Sequence, residues 1–120
     1  CKGAGDALRC WGPTAATQLG DPPAGAGGWA HLAPEGGWGS ASVGVRHSCG
    51  VTAEHPTNLT AITQAVCWGA NGFGQLGTDD LVGRTASDVV AVELGVGVVQ
   101  VAVGLLHTCV VVEDFSTRCW

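Results

Sequence analysis

Apolar residues in this chain fall in short blocks separated by glycine, a spacing that suits strands rather than helices. Val89-Val90-Ala91-Val92 is one block. A glycine turn at Gly95–Gly97 follows, then Val98-Val99-Gln100-Val101-Ala102-Val103, then Gly104, then Cys109-Val110-Val111-Val112. Valine-rich runs of four to six residues bounded by glycine read as β-strands. Their near-continuous apolar character predicts strands covered on both faces. Between Cys1 and Cys10 the midpoint is Gly5-Asp6, which suits a two-residue hairpin turn. Counting outward pairs Ala4 with Ala7, Gly3 with Leu8, Lys2 with Arg9 and Cys1 with Cys10. The same counting puts a three-residue loop, Glu113-Asp114-Phe115, between Cys109 and Cys119. Pro13, Pro22, Pro23, Pro34 and Pro56 fall in turns or linkers, where no ladder hydrogen bond is lost.

These blocks repeat. Cys10-Trp11-Gly12 leads to Gln18-Leu19-Gly20, Cys67-Trp68-Gly69 leads to Gln75-Leu76-Gly77, and Cys119-Trp120 starts a third copy. Gly44-x-x-His47-Ser48-Cys49 returns as Gly104-x-x-His107-Thr108-Cys109. The period is 57 to 60 positions, as from Cys10 to Cys67 and from Cys49 to Cys109. A division into residues 1–20 (the latter half of a first repeat), 21–77 (a second) and 78–120 (a truncated third) follows. Each repeat predicts about four short strands, the grammar of a propeller blade. The fold class expected is therefore all-β, a partial run of propeller-like blades.

Composition narrows the chemistry. Glycine contributes 20 of the 120 residues and charged residues only 12%, against 46% hydrophobic, which excludes a disordered chain. Five cations, Lys2, Arg9, Arg46, Arg84 and Arg118, are scattered in a chain of net charge −5, so no basic patch awaits nucleic acid. The greasiest stretch, Val89 to Val112, is interrupted by Glu93, Gln100, His107 and three glycines, and offers no membrane-spanning run of roughly 20 residues. The first residue is Cys1, so the expectation is a processed chain or a segment of a longer one.

The six cysteines admit many pairings. The repeat selects Cys1–Cys10, Cys49–Cys67 and Cys109–Cys119. Cys1 and Cys10 count as a non-hydrogen-bonded cross-strand pair, whose Cα separation of about 4.5 Å admits a disulfide. Buried free thiols are the bland alternative. Zinc is disfavoured, because the spacings lack paired Cys-x-x-Cys knuckles. Disulfides imply an oxidising, extracellular compartment. Asn58-Leu59-Thr60 is an N-glycosylation sequon midway between Cys49 and Cys67, at the expected tip of a hairpin. Thr57 and Thr60 lie in the same loop and are candidates for O-linked sugars.

The segment from His47-Ser48-Cys49 to Cys67-Trp68-Gly69-Ala70-Asn71-Gly72-Phe73-Gly74-Gln75-Leu76-Gly77 resembles the repeat of the regulator of chromosome condensation family. The first repeat departs from it, with Pro13-Thr14-Ala15-Ala16-Thr17 where the pattern has Asn-Gly-Phe-Gly. The resemblance implies a propeller, usually of seven blades; about two periods cannot close such a ring alone.

Recurrence at equivalent places makes His47 and His107 framework residues that hydrogen-bond neighbouring backbone, rather than metal ligands or acid–base groups. Gln18 and Gln75 sit in turns where glutamine satisfies backbone groups and leucine fills the core. Trp11, Trp68 and Trp120 are expected to pack between blades, with sugar stacking as the alternative role. Asp79-Asp80 reads as a solvated turn rather than a calcium site. No phosphate loop, nucleophile elbow or metalloprotease motif is present, so neither catalysis nor a cofactor is expected. The leading function is a non-catalytic structural or adhesive extracellular module, part of a larger glycoprotein or filament, whose partners are other protein chains or copies of itself. Three rivals stand beside it: a guanine-nucleotide exchange regulator of a small GTPase, as the nuclear relatives are; a secreted enzyme inhibitor; and an enzyme acting on polysaccharide.

Overall fold

The structure, a computed structural model, describes residues 37–52, 62–84 and 89–120, together with the strand backbones of 2–4, 7–10 and 30–32. Asn58, Trp11, Gln18, all five prolines and the Cys1–Cys10 bond lie outside the described residues or their side chains. The described residues are all-β, in antiparallel sheets, with no helix among them. It follows that no described helix is long and apolar enough to cross a membrane.

The first sheet holds β1 (Lys2–Ala4), β2 (Ala7–Cys10) and β3 (Ala30–Leu32), in that order. Its hairpin has the register counted from the sequence: Lys2 opposite Arg9, Gly3 opposite Leu8, Ala4 opposite Ala7. The second sheet is a four-stranded meander of β4 (Trp38–Val43), β5 (His47–Thr52), β6 (Ala65–Gly69) and β7 (Val90–Ala91). The third contains β8 (Val98–Val103), β9 (Thr108–Val112) and β10 (Thr117–Cys119). Sequence repeats and sheets are out of phase. Val90-Ala91, which follows Gln75-Leu76-Gly77 in the chain, turns back to pair with Val66 and Cys67 and closes the second sheet.

The chain reverses after Gly69 because this residue adopts φ +107, and a Cβ there would sit 2.7 Å from Arg46 O and from His47 Cα. Only glycine fits such a site. The turn 71–77 is built on Asn71, which is 1% exposed. Its Oδ1 accepts from Leu76 N at 2.9 Å, and its Nδ2 donates to Thr78 Oγ1 and Asp80 O. This turn drops Leu76 into the core that the second and third sheets share, with Val51, Val92, Val98, Val101, Val110 and Val112.

The central strands of the second sheet are covered on both faces: β5 is buried from His47 through Val51, and every residue of β6 is buried. The third sheet is not. Along β9 burial alternates, β10 is exposed throughout, and Val99 on β8 is 52% exposed. The expectation that the valine runs are covered on both faces therefore fails for β8 and β9. One face of this sheet packs on the second sheet, and no described element covers the other.

Candidate functional site

The repeat signatures meet where the second and third sheets pack. His47 is fully buried at the start of β5, and its Nε2 lies 2.8 Å from Thr108 Oγ1 at the start of β9. Thr108 gives its own hydroxyl hydrogen to Gln75 O at 2.7 Å. It therefore accepts from His47, which fixes the tautomer as Nε2–H. His47 Nδ1 is left buried with no hydrogen-bond partner. Burial holds the imidazole below its ordinary pKa; the charge of His107 adds to this and the backbone of His107 opposes it. The Trp120 indole Nε1–H also donates to Gln75 O, at 3.0 Å. Gln75 Oε1 accepts from Phe73 N at 2.9 Å. Thus His47 and Gln75 from one repeat meet Thr108 and Trp120 from the next.

Further ties run along the same junction. Val103 N donates to Ser42 Oγ at 3.0 Å, and Thr63 Oγ1 donates to Val98 O at 2.7 Å. Gly44 allows the sheets to approach: a Cβ there would meet Gly104 O and Val103 Cγ1, each at 2.7 Å. Trp68 is buried on the opposite face of the second sheet, edge-on to Trp38 with ring centroids 6.0 Å apart. The Trp38 ring occupies the space beside Gly50 that a side chain would fill.

Two disulfides brace this unit. Cys49 is bonded to Cys67 across β5 and β6, and Cys109 to Cys119 across β9 and β10, both with Cα atoms 4.1 Å apart. Thr108 and Trp120 exchange both backbone hydrogen bonds, so the next pair, Cys109 and Cys119, is the close, non-hydrogen-bonded kind. The Cys49–Cys67 bond lies inside the junction, with Cys49 Sγ 3.9 Å from Thr108 Oγ1.

His107, at the place in its repeat that His47 holds in the previous one, behaves differently. It is exposed, and its ring lies over Gly104 of its own turn. His47 in turn finds a hydroxyl on the next sheet, where the sequence suggested backbone. Asp80 is engaged within its own loop: Oδ2 accepts from Arg84 at 2.6 Å and Oδ1 from Val82 N at 3.0 Å. The Val82 amide first, then Arg84, hold this carboxyl below its usual range. Among the described residues no three His, Cys, Asp or Glu side chains gather as a metal site. A cavity of about 460 Å³ opens between the sheets beside Thr52, Thr63 and Glu113. Both hydroxyls are engaged with backbone, Thr52 accepting from Gln64 N and Thr63 donating to Val98 O.

Sequence reasoning overlooked Thr108, Asn71 and Trp38. The signal for Thr108 was the recurring hydroxyl between His and Cys in both copies. For Trp38 it was Gly50, a glycine within a strand, which marks a close approach. No family model matches the sequence, and no curated protein matches it significantly.

Proposed function

We propose that the chain is a non-catalytic structural and interaction module of propeller-type repeats like those of the regulator of chromosome condensation family, belonging to a larger secreted or cell-surface glycoprotein or filament. One observation carries this reading: the hydrogen bond from His47 of one repeat signature to Thr108 of the next. A contact between the signature residues of successive repeats is the element from which repeat arrays are extended, because each unit needs only its neighbour. The meander β4–β7 supports the blade assignment. The buried residues at the junction serve packing and one another, which favours a scaffold over a reaction centre.

Disulfides favour an oxidising compartment, and the Asn58 sequon fits a glycoprotein of the secretory route. Intact mass of the protein from its natural source tests both. Reduction is expected to add six hydrogens, and removal of N-linked glycan to lower the mass, with the change mapping to the peptide that carries Asn58. Six titratable thiols in the unreduced, denatured protein would overturn the extracellular reading and favour a nuclear exchange regulator.

A further inference from the structure

The cavity of about 460 Å³ between the second and third sheets belongs to the repeat junction itself. Gly39 of β4 and Val99 of β8 both line it, and each is the residue at which its strand slips register against the next. The two bulges stand 60 positions apart, as His47 and His107 do. A bulge bends its strand and re-aims the side chains beside it, and here two equivalent bulges flank one opening. Val51, Val98 and Val99 supply apolar walls, and β10 takes no part.

The polar groups of this lining are set to accept. Thr63 gives its hydroxyl hydrogen to Val98 O at 2.7 Å and keeps only lone pairs. Glu113 brings a carboxylate with no hydrogen bond or ion pair among the described residues. The chain holds that carboxylate in place. Glu113 N donates to Gly97 O at 3.0 Å, and the Glu113 side chain folds back over Gly97, into the space a Cβ would take. Four positions after the matching cysteine of the preceding repeat stands Ala53, where Glu113 stands after Cys109. The carboxylate is therefore no part of the repeating framework.

We propose that this cavity binds an alkylammonium group, with its N–H donors on Glu113 and the Thr63 hydroxyl and its alkyl chain along Val51, Val98 and Val99. An ammonium has three donors and no acceptor, which matches a carboxylate and a hydroxyl whose hydrogen is already placed. Apolar walls with a few convergent polar groups are the usual form of a small-ligand site. A protein's lysine side chain and a free primary amine present this same chemistry. The inference goes beyond the interaction-module reading and depends on neither the compartment nor the number of repeats.

The test titrates the full chain with hexylammonium, hexanol and hexanoate, following the methyl resonances of Val51, Val98 and Val99. Hexylammonium is expected to give saturable shifts in the millimolar range. Hexanol is expected to bind about fivefold more weakly, the share of one solvent-facing ion pair, and hexanoate not at all. Glu113→Gln should weaken hexylammonium about fivefold and leave hexanol unchanged. Gly97→Ala keeps the charge but displaces the carboxylate, and should cause a similar loss. Amide protection at Val110 reports that each variant is folded. Equal affinity for hexylammonium and hexanol would overturn the proposal. So would an unchanged titration in Glu113→Gln, or no saturable shift at the three valines. Nα-acetyl-lysine methylamide separates the two sources: binding tighter than that of hexylammonium assigns a lysine side chain, and weaker binding a free amine. Failure here leaves the thiol and glycan measurements untouched.

Discussion

The second and third sheets are written in nearly the same words and end in different states. His47 is sealed and hydrogen-bonded, while His107 is exposed over its own Gly104. Cys49 and Cys67 are both fully buried, while Cys119 is exposed. Gly44 makes room for the next sheet's backbone, whereas the equivalent room at Gly104 is taken by the His107 ring. His47, Cys49 and Cys67 are therefore not buried by their own sheet alone. They present a face, and the neighbouring repeat buries it. A repeat motif here specifies half of an interface, so its environment depends on what stands next to it.

Breaking the two disulfides separates the sheets most strongly. Replacing Cys49 and Cys67 together by alanine is expected to cost about 3 kcal/mol from loop entropy, and more from the buried volume lost. The matching change at Cys109 and Cys119 is expected to cost less in total, because its loop is shorter and Cys119 leaves no sealed cavity. Urea denaturation of the two double variants measures the difference. In the native protein a mild reductant should open Cys109–Cys119 first, by access alone. Equal reduction rates would mean that the third sheet is covered in solution.

The two histidines come next. Thr108→Val removes the acceptor of His47 and the donor to Gln75 O within the junction, an expected loss of about 2 kcal/mol, which Thr108→Ser should largely restore. His107→Ala is expected to change stability by no more than about 0.5 kcal/mol. The burial of His47 also makes stability depend on pH. The unfolded chain takes up a proton at its histidines near pH about 6.5, and folded His47 does so only lower, because burial disfavours the cation. The contribution of His47 is therefore complete above that value and is lost as pH falls below it, toward the depressed folded pKa. His47→Gln should flatten this part of the profile. An unchanged profile in the His47 variant would assign the acid sensitivity to other groups.

What the sequence disclosed and what it hid follow the same line. Local registers were legible: the glycine turn fixed Lys2 against Arg9, and counting inward from Cys109 and Cys119 placed the loop at 113–115. Hairpins are short-range objects, so turn length sets the register. Two facts were not legible because they are long-range. Nothing in Val89–Val92 says that it pairs backward with Cys67 rather than forward with Val98, since apolar runs carry no address. Nothing distinguishes His47 from His107 within their own repeats, since the distinguishing atom is Thr108 Oγ1, 61 positions from His47 and adjacent to His107.

The smallest effect concerns the loop that closes the third sheet. Phe115 N donates to Val112 O at 2.8 Å, Ser116 N donates to Asp114 Oδ1 at 2.7 Å, and Phe115 adopts φ 62 with its ring 83% exposed. A three-residue hairpin loop places its last residue in the left-handed region, where glycine is the usual occupant. A Cβ there costs about 1 kcal/mol or more, and glycine gives part of that back through the entropy of the unfolded chain. Phe115→Gly is thus expected to stabilise the protein by about 0.5 kcal/mol, read as a rise in urea midpoint at constant slope. Hydrogen exchange at Val110 and Arg118 should slow in step if this hairpin opens with the whole unit, and should slow alone if it opens locally. A loss of stability would show instead that the Phe115 ring makes a contact worth more than the strain of its backbone, giving the third sheet a neighbour on its open side.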